Sequence, residues 1–400
     1  MLLMAAAMIA TAQPTLRFDL GPAKPVPGRT AVAIDKAYEA GGYGYEPQRR
    51  GGEFLFSAAV PEGNYRVTVK AGGRTTIKAE SRRLMGSEIN TRAGRYETVS
   101  FVVNVRTSYL TPPPANAPGG TQVKLKPREV GSYTWDDKLT LEFLGDPKVA
   151  SIDIEPVDVP TIYLAGDSTV TDQQAEPAAS WGQMFTALMQ PSIAVANHAE
   201  SGETLKSFTT ELRLDKMLSR MKAGDWLLIQ FGHNDQKSQW PQTYADPAVT
   251  YPAWLRTFIA EATRRGAHPV LVTSPERRNF KDGRITPSLH EYAEAMRKVA
   301  REDGVPLIDL QPDTVALYEA LGPERSPALF NDGGADKTHH NNAGAWFLAR
   351  AVAAGAAKAV PDLAAHIRPE WRSFDPARAN MDETRIAPSI VASAERPAGS

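Results

Sequence analysis

Three residues that lie far apart in the chain have side chains that could together carry out acyl transfer. Ser168 directly follows a short apolar run, and Asp336 stands three residues before His339. A serine hydroxyl becomes an effective nucleophile when a histidine takes its proton and a carboxylate holds that histidine in one tautomer. The three-residue spacing is short enough for Asp336 to fold back onto His339. These residues therefore predict a Ser–His–Asp catalytic triad.

Acyl transfer also needs hydrogen-bond donors for the negative charge that develops on the substrate oxygen. Two polar segments, 197–204 and 231–235, contain Gly202 and Asn234. We expect the backbone N–H groups of Ser168 and Gly202 and the side-chain amide of Asn234 to form this oxyanion hole. A glycine suits the role because a residue without Cβ lets the substrate approach the backbone.

The segments that hold these residues follow predicted strands or precede the last predicted helix. From Pro160 onwards, short apolar runs alternate with helical patterns, which is typical of an α/β fold with a doubly wound sheet. Ligands bind beyond the carboxyl ends of the strands in such sheets, so the candidate residues should meet there. The predicted strands are 161–165, 193–197, 226–231, 269–273 and 306–309, and the predicted helices are 181–189, 205–221, 254–265, 288–303 and 343–359.

The preceding part of the chain, 14–157, has a different pattern. Its short runs of alternating polarity are separated by turn residues such as Gly72-Gly73. Many short strands without intervening helices predict an all-β sandwich or jelly roll. We therefore expect a β-sandwich accessory domain at 14–157 and a catalytic domain at 160–372. The clearest predicted strands of the first domain are 53–57, 65–69, 98–105 and 139–143.

Four segments, in order, resemble the four sequence blocks of the SGNH, or GDSL-type, hydrolases. The matching residues are Gly166-Asp167-Ser168, Gly202, Gly232-x-Asn234-Asp235 and Asp336-x-x-His339. The resemblance spans roughly Pro160 to Val360, about half of the chain. It implies a flavodoxin-like three-layer αβα domain and assigns the triad and oxyanion roles to the same residues.

Finer features are similar to the rhamnogalacturonan acetylesterase family of carbohydrate esterases. Ser180-Trp181-Gly182-Gln183 follows the first block, and Gly344-Ala345 follows the last. This resemblance implies a serine esterase that removes O-acetyl groups from a plant cell-wall polysaccharide, with rhamnogalacturonan as the expected substrate and an acetyl-serine intermediate. The segments 18–21 and 41–46 are similar to the start of a galactose-binding type of β-sandwich.

Several residues close to these blocks are candidates for substrate contact. Trp181 could stack on a sugar ring or fill the core beneath its helix. His233 could touch the acetyl group or bond a neighbouring carbonyl, and His340 is expected at the rim of the site. Lys237 and Arg277 lie on loops at the catalytic edge, where they could bind uronate carboxylates or face solvent.

The composition excludes several other kinds of site. The chain has no cysteine, so disulfides, thiolate nucleophiles and cysteine metal sites are excluded. A formal net charge of −1 provides no overall basic surface for nucleic acid or a membrane. The expected partner is an acetylated polysaccharide or oligosaccharide, without metal or cofactor, and the sequence leaves the oligomeric state open.

The two ends of the chain have compositions unlike the rest. Residues 1–12 are almost all apolar and end in Ala-Thr-Ala, which is typical of a signal peptide, although no Lys or Arg precedes the apolar run. We therefore expect a secreted or periplasmic protein with a signal peptide at 1–12 whose basic start is truncated. Residues 373–400 are rich in Pro, Ala, Ser and charge, which predicts a tail that strays over the surface or is disordered.

Three alternatives compete with an esterase specific for rhamnogalacturonan. A carbohydrate-binding protein without catalysis would place its function in the β-rich domain. An acetylesterase acting on xylan or on oligosaccharides would use the same catalytic residues, since a fold does not determine its substrate. A metal-dependent hydrolase would need nitrogen and oxygen ligands, for which the candidates are Asp167, His233, Asp235, Asp336, His339 and His340.

Overall fold

The structure is a computed structural model that describes residues 14–21, 26–110, 119–395 and 397. The predicted signal peptide at 1–12 lies outside the described residues. Among the residues that are described, no helix combines the length and the apolar character needed to cross a bilayer.

The described residues up to Pro156 form an all-β region. Its strands are β1 Leu16–Asp19, β2 Thr30–Ala31, β3 Tyr43–Arg50, β4 Glu53–Ala59, β5 Gly63–Ala79, β6 Arg83–Leu84, β7 Ile89–Asn90, β8 Glu97–Val105 and β9 Lys138–Pro156. Hydrogen bonds join them into one sheet, in which the long strands β5 and β9 are antiparallel partners along most of their length. Apolar side chains from β1, β4, β5, β8 and β9 form a core of their own. The predicted all-β region is therefore present, while its likeness to a galactose-binding sandwich stays a prediction.

The prediction of a turn at Gly72-Gly73 is wrong, because β5 continues through both residues. A register shift between Lys70 and Ala71 marks a bulge in the pairing of β5 with β9. Gly73 has a φ of +72°, and a Cβ there would lie 2.4 Å from the carbonyl oxygen of Asp146. The glycine thus lets the long strand bend closely against its partner instead of reversing direction.

The residues from Thr161 onwards form the predicted α/β region. Its strands are β10 Thr161–Gly166, β11 Ala194–Asn197, β12 Trp226–Gln230, β13 His268–Val272, β14 Phe280–Lys281, β15 Arg284–Ile285 and β16 Leu307–Ile308. Its helices are α1 Trp181–Phe185, α2 Leu205–Thr210, α3 Arg213–Leu218, α4 Thr250–Thr263, α5 His290–Asp303, α6 Leu310–Arg325, α7 Asn342–Ala359 and α8 Pro361–Ala364.

The central sheet has the strand order β11-β10-β12-β13-β16, and each neighbouring pair is parallel. Successive residues of β10 and β12 point to opposite faces, as the pleat of a strand requires. One face packs against α1, α6 and α7, and the other packs against α2, α3, α4 and α5. The predicted three-layer αβα fold with a parallel sheet is confirmed, and its strand order is that of flavodoxin-like proteins.

Two helices differ from the prediction. The helix predicted at 205–221 is split into α2 and α3, because Leu212 has a φ of +63° and interrupts it. The long helix α6 was not predicted, because Pro312 and Gly322-Pro323 are residues typical of loops. Pro312 stands in the first turn of α6, where the missing N–H is tolerated, and Gly322 is kinked near its end.

The described residues of the C-terminal segment after 372 are mostly exposed or half-buried, and the segment is attached to both regions at Ser389. Ser389 is buried, its N–H donates to Glu176 (2.7 Å), and its hydroxyl accepts from Lys78 Nζ (2.8 Å). Arg50 of the β-rich region donates to the carbonyl of the same serine. Four apolar side chains of the segment, Phe374, Ala379, Met381 and Ile386, also pack against the core of the α/β region.

Candidate active site

The turn after β10 presents Ser168 at the carboxyl end of the central sheet. Gly166 ends the strand, and a Cβ at this position would lie 2.5 Å from Val170 Cγ2. The carboxylate of Asp167 accepts hydrogen bonds from the backbone N–H and the hydroxyl of Thr169, both at 2.9 Å. Asp167 therefore stabilises the turn that carries Ser168, the backbone role expected of a short acidic side chain before a turn.

The structure brings Ser168, His339 and Asp336 together as the sequence predicted. The Oγ of Ser168 lies 2.9 Å from His339 Nε2, and Nδ1 of the same imidazole lies 2.8 Å from Asp336 Oδ2. All three residues are buried. With a proton on Nδ1 shared with Asp336, Nε2 can accept the proton of the serine hydroxyl.

Asp336 is held as a carboxylate by several donors. Its Oδ1 accepts from the backbone N–H groups of Thr338 (2.8 Å) and His339 (2.9 Å). Burial opposes ionisation, but the hydrogen bond and charge of His339 and these backbone donors outweigh it and lower the pKa of Asp336 to about 2. The group that orients the imidazole is therefore negatively charged throughout the neutral range.

The expected oxyanion donors lie on adjoining loops. The Nε2 atom of Gln173 lies 2.8 Å from the Ser168 carbonyl oxygen and 3.4 Å from Ser201 Oγ, which ties the serine turn to the loop of Gly202. Asn234 Nδ2 donates to the carbonyl oxygen of Glu203 at 3.0 Å. Within the described chain, the N–H groups of Ser168 and Gly202 make no hydrogen bond. These two amides are thus free to bind a substrate oxygen.

His233 pairs with the carboxylate that precedes the serine. Its Nδ1 lies 3.3 Å from Asp167 Oδ2, and both side chains are buried. Burial lowers the pKa of His233, which favours a neutral imidazole. His233 therefore bonds a carboxylate rather than the neighbouring carbonyl considered from sequence, and it helps to fix the serine turn.

Two residues that were candidates for substrate contact, Trp181 and His340, are buried in the structure. Trp181 is 1% exposed, its Nε1–H donates to Gln230 Oε1 at 2.7 Å, and its ring packs on Phe185. It therefore belongs to the core and cannot stack on a sugar. His340 is also 1% exposed, not at the rim as expected, and its Nε2 lies 2.7 Å from the Tyr318 hydroxyl. Burial lowers the pKa of His340 to about 3, so this imidazole is neutral.

Arg277 and Lys237 lie beside the site. Arg277 donates to the carbonyl of His233 (3.4 Å) and to Thr338 Oγ1 (3.3 Å), so it joins two of the catalytic loops. Lys237 Nζ lies 4.6 Å from the centre of the Trp240 ring. Burial and the charge of Arg277 lower the pKa of Lys237, opposed by the charge of Asp167. Both cations are therefore within electrostatic reach of the serine turn.

Trp240 is an exposed aromatic residue that the sequence reasoning missed. It is 40% exposed, which leaves part of its ring open to solvent next to Lys237. The one available signal was its position on the loop that follows the Gly232–Asp235 block. Trp181 lies closer to the serine block in sequence, but burial depends on packing rather than on the position of a residue relative to a motif.

The six residues considered as metal ligands are divided among separate partners. Asp167 bonds His233, Asp336 bonds His339, and His340 bonds Tyr318. Asp235 is also buried, and its carboxyl oxygen accepts a hydrogen bond from the N–H of Leu205, at the start of α2, at 3.0 Å. No group of three such side chains is arranged for a metal ion within the part of the chain that the structure describes.

Comparison with known proteins gives a family match over the region that carries this site. Residues 164–347 match the GDSL-like lipase/acylhydrolase family. The chain is 44% identical to the rhamnogalacturonan acetylesterase RhgT of Bacillus subtilis over 208 aligned residues. This alignment covers 48% of this chain and 88% of that protein. It is 37% identical to the probable rhamnogalacturonan acetylesterase YesY of the same organism, over 48% of this chain and 91% of that protein.

A solved structure is similar over a larger part of the chain. The Bacillus subtilis protein YxiM aligns with 86% of this chain and 98% of its own, with 24% sequence identity and a TM-score of 0.49.

Proposed function

Because this chain belongs to the GDSL-like lipase/acylhydrolase family, we propose that it is a serine esterase that removes O-acetyl groups from a carbohydrate, with rhamnogalacturonan as its polysaccharide substrate. The observation that carries the proposal is the contact of Ser168 with His339, with Asp336 on the other side of the imidazole. The names of the related RhgT and YesY support an acetylated pectic substrate.

The proposed reaction has two acyl-transfer steps. Ser168 Oγ attacks the acetyl carbonyl carbon while its proton passes to His339 Nε2, and Asp336 stabilises the imidazolium. The tetrahedral oxyanion accepts hydrogen bonds from the N–H groups of Ser168 and Gly202 and from the Asn234 amide. The sugar oxygen then leaves with the proton from His339. Water, deprotonated by the same histidine, hydrolyses the acetyl-serine to acetate and restores the serine.

Charge and exposed aromatic surface beside the site support an acidic polysaccharide. Lys237 Nζ lies over one face of the partly exposed Trp240 ring, and Arg277 bonds both the loop of His233 and that of Thr338. Sugar rings pack on exposed aromatic faces, and carboxylates bind cations. In the proposed complex, Trp240 contacts a sugar ring while Lys237 attracts a uronate carboxylate. Since polysaccharides of this kind lie outside the cell, we also propose that the enzyme is exported.

The decisive experiment measures acetate release by Ser168→Ala from acetylated rhamnogalacturonan, homogalacturonan, xylan and p-nitrophenyl acetate. Ser238→Ala is the matched control, since Ser238 is exposed on the neighbouring loop. We expect activity to vanish in Ser168→Ala and to persist in Ser238→Ala and in EDTA. Retained activity in Ser168→Ala, with loss in EDTA, would instead support a metal-dependent hydrolase. Equal rates on all four substrates would remove the preference for pectin and leave a broader acetylesterase.

A further inference from the structure

A segment of the β-rich region, residues 126–129, reaches across to the loop that contains Gly202; we call it the clamp. Arg128 Nη2 donates to the carbonyl oxygen of Ser201 at 2.6 Å. Lys126 Nζ donates to the same carbonyl oxygen at 3.2 Å. Two cations from the β-rich region therefore hold one backbone carbonyl of the catalytic region.

That carbonyl belongs to the same planar peptide unit as the N–H of Gly202. In a trans peptide the C=O and N–H point in opposite directions, so fixing the Ser201 carbonyl also fixes the direction of the Gly202 N–H. Side-chain packing gives Gly202 little support, because a Cβ built on it would have just Lys126 Nζ within 4.0 Å. Its φ of +85° lies in the left-handed region. The clamp therefore orients this donor together with the hydrogen bond from the Glu203 N–H to the Glu200 carbonyl oxygen (3.2 Å), which closes the same turn.

The clamp also holds the residues on both sides of the peptide. Arg128 Nε donates to Glu200 Oε1 at 2.6 Å, and Lys126 forms an ion pair with Glu203. Burial opposes ionisation of Glu203, but the charges of Arg213 and Lys126 keep the pKa of its carboxyl below its ordinary value. A buried carboxylate with close cationic partners stays in place, since separating it from them is costly.

The same contacts extend to the third oxyanion donor. The backbone carbonyl of Glu203 accepts the hydrogen bond from Asn234 Nδ2, so the position of Glu203 sets the position of that amide. Arg213 links Glu203 to the clamp, since its Nη2 lies 2.5 Å from Glu129 Oε2 and its Nε lies 3.4 Å from Glu203 Oε1. Both Gly202 and Asn234 are therefore connected to the clamp, the first through part-buried contacts and the second through the buried Arg213 and Glu203.

We infer that the β-rich region completes the oxyanion hole, with Lys126 and Arg128 as positioning residues that aim the Gly202 N–H at the developing oxyanion. The inference rests on the proposed serine esterase function. Residues 126–129 lie outside the family match at 164–347, so the clamp is an addition to the shared catalytic fold. It gives the β-rich region a role in turnover in addition to any role in binding sugar.

The test compares Arg128→Met with Lys124→Met in acetate-release kinetics. The Arg128 side chain is 41% exposed, so its loss should leave the fold intact. Lys124 is the matched control, because its Nζ bonds the Thr210 carbonyl at 2.9 Å, away from the Gly202 loop. Loss of a whole donor lowers kcat 10²- to 10³-fold, so misdirecting one donor should lower kcat about 10-fold, with KM nearly unchanged. Lys124→Met should match the wild type.

Two further variants separate positioning from stability. Arg128→Lys keeps a cation able to reach the Ser201 carbonyl and should recover most of the lost kcat. Glu200→Gln removes the ion pair but leaves the Arg128 contact with Ser201, so its kcat should fall less than that of Arg128→Met. If Arg128→Met proves unstable, the kcat values of Arg128→Lys and Glu200→Gln test the positioning role, provided that both variants keep the melting temperature of the wild type.

Several results would overturn the inference. The first is a kcat of Arg128→Met equal to that of the wild type. The second is a fall in kcat that is accompanied by a matching fall in melting temperature. The third is a fall in the kcat of Glu200→Gln as large as that of Arg128→Met. If Ser168→Ala is inactive while Arg128→Met is unaffected, the esterase proposal stands and the positioning role fails. Full activity in Ser168→Ala would remove both.

Discussion

The Nε2 atom of His339 lies 2.9 Å from the Oγ of Ser168, within hydrogen-bond reach of the proton that it must accept. This contact joins the turn after β10 to the segment before α7, which are 171 positions apart in the chain. Asp336 holds the opposite side of the imidazole and is itself fixed by two backbone donors. The base is therefore oriented before any substrate binds.

Replacing Asp336 by Asn should disable the base while preserving its shape. The amide cannot accept the Nδ1 proton in the same way or stabilise an imidazolium, so kcat should fall on the order of 10³- to 10⁴-fold at neutral pH. KM should change little. Asp362→Asn, at an exposed carboxylate in α8, is the control and should behave as the wild type. A loss smaller than about 10-fold would argue against a triad.

Replacing Asn234 by Ala should remove the side-chain donor of the oxyanion hole. We expect kcat to fall about 10²- to 10³-fold with a smaller change in KM, because the donor acts mainly on the transition state. Steady-state kinetics with p-nitrophenyl acetate will measure both constants. Asn380→Ala, at an exposed residue that caps a short C-terminal helix, should leave them unchanged. An effect on KM alone would assign Asn234 to substrate binding instead.

Asp235 should make the folded state less stable as pH rises. Burial raises the pKa of this carboxyl to about 8, whereas in an unfolded chain it is about 3.9. Between these values the folded protein keeps a proton that the unfolded protein releases. The stability that this group contributes is fully present below about pH 4 and is lost as pH rises through about 8.

Asp235→Asn cannot ionise and should lack this dependence. Its amide oxygen can still accept from the N–H of Leu205, the partner of the native carboxyl group. Melting temperatures of the two proteins across this pH range should therefore diverge, with the variant gaining relative to the wild type as pH increases. Parallel curves would show that Asp235 ionises at the same pH in the folded and unfolded protein.

Trp240→Ala and Lys237→Met should weaken binding of an acidic polysaccharide without affecting chemistry on a small ester. Loss of ring stacking should raise KM for acetylated rhamnogalacturonan about fivefold, while p-nitrophenyl acetate is unaffected. Added salt should raise KM in the wild type more than in Lys237→Met. Tyr96→Ala is the control, because Tyr96 is 46% exposed and lies 5.9 Å from Lys70 Nζ on the β-rich region. Equal changes in all three variants would exclude a specific sugar contact at Trp240.

The succession of strands and helices along the chain and the chemistry of the turns could be predicted from the sequence because both depend on residues close together in the chain. Ser168 follows a buried strand, and Asp336 lies one helical turn's distance before His339. Parallel strands end at the same sheet edge, so local patterns were enough to place these residues together. The helix α6 could not be predicted because it contains proline and glycine, which occur both in loops and at helix ends.

Burial and contacts between distant segments were decided by the tertiary structure. Trp181 and Trp240 are chemically identical side chains, and packing alone buries the first and exposes the second. The contact of Arg128 with Ser201 spans 73 positions and joins the β-rich region to the α/β region, and no spacing rule relates the two residues. The sequence by itself determined which groups can react and along which sheet edge they lie. The tertiary structure decided which groups support them, because that depends on how the β-rich region packs against the catalytic loops.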